Sequence, residues 1–203
     1  MLPIVYLPGA GGRSIFWRPV ATRLADLGRA CLLGWPGFGD EPPDPAIGSL
    51  DDLYSWMLPR LPAGRLHLVA QSMGGVLAAR LALEQPGRVG RLVLAATSGG
   101  LDVRALGASD WRPDFLSRLP HLPRWFAEDR TDLSARLGAI RAPTLLLWSD
   151  ADPVSPLAVG QHLQKVIPGA RLQVFAGGTH TFAEDRAEEV AAAVRAHLGS
   201  HVE

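Results

Sequence analysis

The stretch Leu66-His67-Leu68-Val69-Ala70-Gln71-Ser72-Met73-Gly74-Gly75 decides the reading of this chain. Leu66 to Ala70 reads as a buried strand, and Met73 to Glu84, rich in alanine and leucine, reads as a helix. Passing from strand to helix within so few residues demands a sharp turn, which lifts the Ser72 hydroxyl above the end of the sheet. Small residues two before and two after the serine, Ala70 and Gly74, let the strand and helix backbones approach. The spacing matches G-x-S-x-G, a pattern that has meaning only in the strand–turn–helix context found here, with Ala70 in the first glycine position. A serine capping an ordinary helix is the bland reading; the context favours an exposed nucleophile.

Outward from this turn, short apolar runs alternate with helical patterns. Ile4 to Leu7, Ala30 to Trp35, Leu92 to Ala95, Thr144 to Trp148 and Leu172 to Phe175 read as strands, the first two closed by Pro-Gly. Ser14 to Leu27, a Ser49-capped segment carrying Leu50, Leu53, Tyr54 and Met57 on one face, a segment from Pro156 to Val166, and Glu184 to Leu198 read as helices. Such alternation predicts an α/β fold: a mostly parallel sheet of about six strands with helices on both faces. Functional loops then lie beyond the carboxyl ends of the strands. From Ser98 to Arg141 no strand pattern occurs, and Trp111, Phe115, Leu119, Leu122, Trp125 and Phe126 are interspersed with prolines. This segment reads as a small helical insertion within one domain spanning residues 1–203, set over the active-site side.

Composition narrows the partners. The chain has 203 residues, 20 basic and 20 acidic side chains, and a formal net charge of +0. That balance gives no reason to expect nucleic acid or an anionic membrane surface. The single cysteine, Cys31, excludes an intrachain disulfide and reads as a small core residue. With no basic leader and no apolar run long enough to span a bilayer, a cytoplasmic protein is expected.

A serine hydroxyl needs a base. His180, in the glycine-bearing loop Ala176-Gly177-Gly178-Thr179-His180 after the last strand, is the candidate. His67 lies within a strand, His162 and His197 on helices, and His201 in the tail. His121 falls in the insertion, where it could line a pocket. Asp152, after the fifth strand, is the candidate to fix the imidazole tautomer; Asp150 is the rival and reads as a residue that bonds turn amides. The backbone amides of Met73 and of Ala10, in Leu7-Pro8-Gly9-Ala10-Gly11-Gly12 after the first strand, are the candidate oxyanion donors.

These features resemble the α/β-hydrolase superfamily over nearly the whole chain. The resemblance rests on Pro8-Gly9-Ala10, Trp35-Pro36-Gly37-Phe38-Gly39-Asp40, Gln71-Ser72-Met73-Gly74-Gly75, Asp152-Pro153 and Gly178-Thr179-His180. It is similar to the small bacterial carboxylesterases and acyl hydrolases near the pimeloyl-ester carboxylesterase group. The resemblance implies a three-layer α/β-hydrolase fold, a Ser-His-Asp triad, an acyl-enzyme, no cofactor, and a small ester or thioester as substrate. It implies that segment 98–141 is a short cap, with Trp111, Phe115, Leu119, His121, Trp125 and Phe126 as candidate pocket residues, packing being the competing role for most. Pro8-Gly9 stands where His-Gly is usual, the acidic residue often found before the Pro-Gly-x-Gly turn is missing near Gly34-Trp35, and Ala70 replaces a glycine. The chain also opens on what resembles the family's third strand. The apolar strand from Ala30 to Trp35 is then an edge that needs cover from a loop, a helix or a second copy in a homodimer.

Other chemistries fit less well. Gly9-Ala10-Gly11 begins a dinucleotide fingerprint, but its third glycine would fall on Ser14 and no ribose-binding acid follows the second strand. No Walker motif, H-E-x-x-H or Cys/His ligand spacing is present, so no metal is expected. A serine nucleophile argues against the aspartate-dependent dehalogenases and epoxide hydrolases. Ester, thioester, amide, lactone and carbon–carbon hydrolysis stay open, as does cofactor-free perhydrolysis. A non-catalytic small-ligand receptor on the same fold is the alternative of a different class.

Overall fold

The computed structural model describes all residues except 40, 119, 121 and 200–203. Its elements run β1 (Ile4–Leu7), α1 (Arg18–Arg23), β2 (Ala30–Leu32), α2 (Leu50–Met57), β3 (Leu66–Gln71), α3 (Met73–Glu84) and β4 (Val89–Ala95). There follow α4 (Arg112–Arg118), α5 (Trp125–Glu128), β5 (Thr144–Ser149), α6 (Leu157–Val166), β6 (Arg171–Phe175), α7 (Phe182–Asp185) and α8 (Ala187–Gly199). The strands form one six-stranded sheet in the order β2-β1-β3-β4-β5-β6, and every neighbouring pair is parallel.

The four inner strands, β1, β3, β4 and β5, read as near-continuous apolar runs because both of their faces are buried, whereas β6 at one edge is largely exposed. Val5, Leu7, Leu68, Ala70, Leu92, Leu94, Leu146 and Trp148 face one core with α2, α3 and α6. Ile4, Tyr6, Val69, Val93, Leu145 and Leu147 face the other with α1, α7 and α8. Successive residues thus alternate between two cores, as strand geometry requires. Three layers result, with β1 and β3 side by side in the sheet and their carboxyl ends adjacent.

Several boundaries differ from the sequence expectation. Helix α1 is six residues long rather than spanning Ser14 to Leu27, with Pro19 in its first turn; proline fits there but lacks an N–H for the helix interior. Strand β2 stops at Leu32 instead of Trp35. Its last rung is Leu33 N–H to Tyr6 O at 3.1 Å, after which the chain bends and Trp35 N–H bonds Gly12 O at 3.1 Å. The final helix is two, broken at Arg186, whose guanidinium bonds Ala176 O and Glu189. Strand β2 is an edge, with Ala30 exposed and Cys31 half-buried rather than fully buried; burial raises the Cys31 thiol pKa, partly offset by Arg29.

Between β4 and β5 lie α4 and α5, two short 3-10 turns and no strand among the described residues. No helix among those residues is long and apolar enough to cross a membrane.

Candidate active site

Ser72 sits between β3 and α3 at φ 51° and ψ −120°. A non-glycine residue there costs on the order of 1–3 kcal/mol and persists only when its surroundings impose it. The surroundings do so: Ser72 N–H donates to Ala95 O at 3.1 Å, while Ser72 O accepts from Gly75 N–H at 2.9 Å and Thr97 Oγ1 at 2.6 Å. Helix α3 can start so close to β1 because residue 74 has no side chain. A Cβ there would stand 2.4 Å from Pro8 O and 2.7 Å from Leu7 O. Those carbonyls are held in turn by buried indoles, Trp17 Nε1 on Leu7 O and Trp35 Nε1 on Pro8 O, each at 2.9 Å.

His180 follows β6. The loop carrying it is tied to β5: Ser149 Oγ donates to Gly178 O, and Gly177 N–H donates to Asp150 Oδ1 at 2.6 Å. Asp150 therefore bonds a turn amide, as expected of it. Asp152 instead lies against the imidazole. Its Oδ2 lies 2.7 Å from His180 Nδ1, and its Oδ1 accepts from the Val154 and Ser155 amides at 2.8 and 3.2 Å. The Asp152 side chain is wholly buried and that of His180 one-quarter exposed. An ionised carboxylate only accepts, so it places the imidazole proton on Nδ1. Nε2, 3.0 Å from Ser72 Oγ, is then free to accept the hydroxyl proton.

Ala10 and Met73 both line the cavity above Ser72. Among the described residues neither amide bonds another protein group, which leaves both able to donate to a bound oxygen. The cavity is about 680 Å³ and opens to solvent. Its wall divides the expected pocket residues: Trp111, Phe115 and Phe126 line it, while Trp125 does not. Trp111 stacks on Phe126 at 4.9 Å between ring centroids, and Phe115 meets both edge-on. Trp125 instead packs edge-on against buried Phe38, in the turn after β2. Leu119 and His121 fall outside the described residues. Among the described lining residues are four arginines and four aspartates. Arg104 pairs with Asp102, holding that carboxyl down to about 2, and Arg112 pairs with Asp110.

Three contacts escaped the sequence reading. Gln71 Nε2 donates to His180 O at 3.1 Å, Thr97 Oγ1 donates to Ser72 O, and Arg13, which lines the cavity, bonds Glu184 at 2.6 Å. Only Gln71 carried a sequence signal, its place beside Ser72. Among the described residues no cluster of histidine, cysteine and acidic side chains could hold a metal ion.

Comparison with known proteins agrees with this architecture. A profile of the alpha/beta hydrolase family matches residues 4–193. The chain is 30% identical to the 2-hydroxy-6-oxononadienedioate/2-hydroxy-6-oxononatrienedioate hydrolase of Cupriavidus pinatubonensis, across 83% of this chain and 75% of that protein. A solved hydrolase from Pseudomonas aeruginosa superposes with a TM-score of 0.81 at 26% identity, covering 98% of this chain and 90% of that one. An enol-lactonase from Burkholderia xenovorans shares the fold, with a TM-score of 0.78 at 21% identity over 98% of this chain and 92% of its own. With its profile matched from β1 into α8 around a serine turn at the end of β3, the chain belongs to the alpha/beta hydrolase family and is a hydrolase.

Proposed function

We propose that the protein hydrolyses a small uncharged carboxylic ester or thioester through an acyl-enzyme on Ser72. The observation that carries this reading is the continuous hydrogen-bonded run from Ser72 Oγ through the His180 imidazole to buried Asp152. His180 Nε2 takes the hydroxyl proton as Ser72 Oγ bonds the acyl carbon. The oxygen that gains charge lies against the Ala10 and Met73 amides. His180 then returns the proton to the departing alcohol or thiol. Water attacks the acyl-serine with His180 again as base, Ser72 recovers its proton, and the carboxylic acid leaves.

The cavity wall supports an uncharged substrate. Among the described lining residues the four arginines are matched in number by four aspartates, so the wall carries no excess of formal positive charge to draw in a dianion. The aromatic faces of Trp111, Phe115 and Phe126 suit an apolar acyl or alcohol group. A second reading, carbon–carbon hydrolysis on the same residues, draws support from the Cupriavidus relative, whose named substrate is a dioate.

The test is labelling with a fluorophosphonate, comparing wild type with Ser72→Ala, followed by uncharged p-nitrophenyl esters of rising chain length. Labelling of wild type alone with ester turnover supports the proposal. Labelling without turnover of any ester or thioester moves the assignment to carbon–carbon bonds, and a folded wild type that does not label refutes the serine chemistry.

A further inference from the structure

Gln71 ends β3 and immediately precedes Ser72, yet the proposed chemistry gives it no part. It is 4% exposed. Its side chain reaches from the strand end to the loop that carries the base, where Nε2 donates to the carbonyl of His180 itself, a contact joining residues 109 apart in sequence. On the way it passes under the oxyanion loop. A Cβ on Gly9 would stand 2.2 Å from Gln71 Oε1 and 2.9 Å from Ser72 Cβ, so the lack of a side chain at residue 9 makes room for this amide. The other side chains that tether the base loop's main chain, Ser149, Asp150 and Arg186, reach Gly178, Gly177 and Ala176. Gln71 holds the residue that bears the imidazole.

We propose that Gln71 is a positioning residue for the hydrolysis put forward above, setting where the His180 imidazole stands against Ser72 Oγ. This rests on Ser72, His180 and Asp152 being the catalytic set. With the main chain of His180 held by Gln71 and Nδ1 held by Asp152, the residue is fixed at its backbone and at one ring nitrogen, which together set where Nε2 stands. Without the amide, the Asp152 bond survives but the ring can pivot about it. Displacements near 1 Å in a reacting pair cost up to about a hundredfold in rate. The side chain must donate, must be neutral beside the base, and must be long enough to cross; glutamine meets all three conditions.

Two variants separate these demands. Gln71→Met keeps length and removes the donor, and Gln71→Asn keeps the amide but is one methylene too short. Each is expected to lower kcat on a reactive p-nitrophenyl ester, and the rate of fluorophosphonate labelling, by about ten- to a hundredfold, with KM within about twofold. Thermal melts show whether each variant is folded. The decisive measurement repeats Gln71→Met in an Asp152→Asn background. There the ring is already misdirected, and residues that act through one group are non-additive, so the same change is expected to cost less than about threefold. An equal loss in both backgrounds would mean a general structural role and overturns the proposal. So does a folded Gln71→Met enzyme with wild-type kcat. A wild type that neither labels at Ser72 nor turns over any ester removes the reaction, and this role with it; a reactive wild type matched by Gln71→Met removes this role alone.

Discussion

Replacing Asp152 by asparagine changes one atom, and the surroundings dictate which one. Oδ1 accepts the Val154 and Ser155 amides at 2.8 and 3.2 Å, while Oδ2 faces His180 Nδ1 at 2.7 Å. Asparagine keeps its oxygen on the two backbone donors, because the reverse orientation points an NH₂ at both and forfeits two bonds of about 1 kcal/mol each. Its NH₂ therefore faces Nδ1, which must become an acceptor. The imidazole proton moves to Nε2, 3.0 Å from Ser72 Oγ, and there it cannot accept the hydroxyl proton. Catalysis must proceed through the disfavoured tautomer, and the loss expected in kcat is on the order of 10³–10⁴, or about 4–5.5 kcal/mol. The assay is ester hydrolysis at neutral pH with a parallel thermal melt, which stays close to wild type because both amide acceptors are kept. Asp150→Asn is the internal comparison. That carboxylate accepts one amide from Gly177, asparagine can do the same, and kcat is expected within about threefold of wild type. A folded Asp152→Asn enzyme within tenfold of wild type, or an Asp150→Asn enzyme as impaired as Asp152→Asn, would refute the assignment of the two aspartates.

Gly74→Ala drives a methyl into the Pro8 and Leu7 carbonyls, both backbone atoms, and is expected to lower stability by about 1–3 kcal/mol in urea; an unchanged midpoint would show that the start of α3 can move away from β1. His197 is 2% exposed, and burial, with Arg91 and Arg171 adding, lowers its pKa to about 4 from 6.5. The fold binds fewer protons than the unfolded chain between those values, so the contribution is complete above about pH 6.5 and lost as pH falls to about 4, at most about 3 kcal/mol. His197→Leu should flatten the pH dependence of stability across that window, and an unaltered slope would exclude His197 as its source.

Much of this molecule was legible because local and global demands coincide. Each of the apolar runs contains a strand, and α3 begins and ends at the expected residues, Met73 and Glu84. Boundaries went astray where a distant residue sets the local conformation. Trp35 left its strand because its indole bonds Pro8 O, which no pattern within residues 30–35 encodes. The last helix broke at Arg186 because that side chain turns back to Ala176 O. The residue types Ser, Asp and His could be read from their places after three strands. The tethers that aim them could not, since the Gln71 and Thr97 contacts exist only once β3, β4 and β6 are assembled.

The wall of the cavity was the least legible part, for a reason that bears on specificity. Trp111 and Trp125 belong to the same proline-punctuated segment with similar neighbours, yet one lines the cavity and the other packs on Phe38. Phe38, in a turn that Trp35 and Gly12 hold beside the loop after β1, packs edge-on against both Trp125 and the wall residue Phe126. The serine turn is imposed by backbone bonds and close contacts inside the sheet, whereas the wall depends on how the segment between β4 and β5 packs on the core through Leu122, Leu133 and Leu137 as well as through Trp125 and Phe126. Substitutions at Trp111, Phe115 or Phe126 can therefore reshape the wall while the distances among Ser72, His180 and Asp152 stay fixed. That independence is why the residue pattern around Ser72 speaks to the reaction and is nearly silent on the group that occupies the cavity.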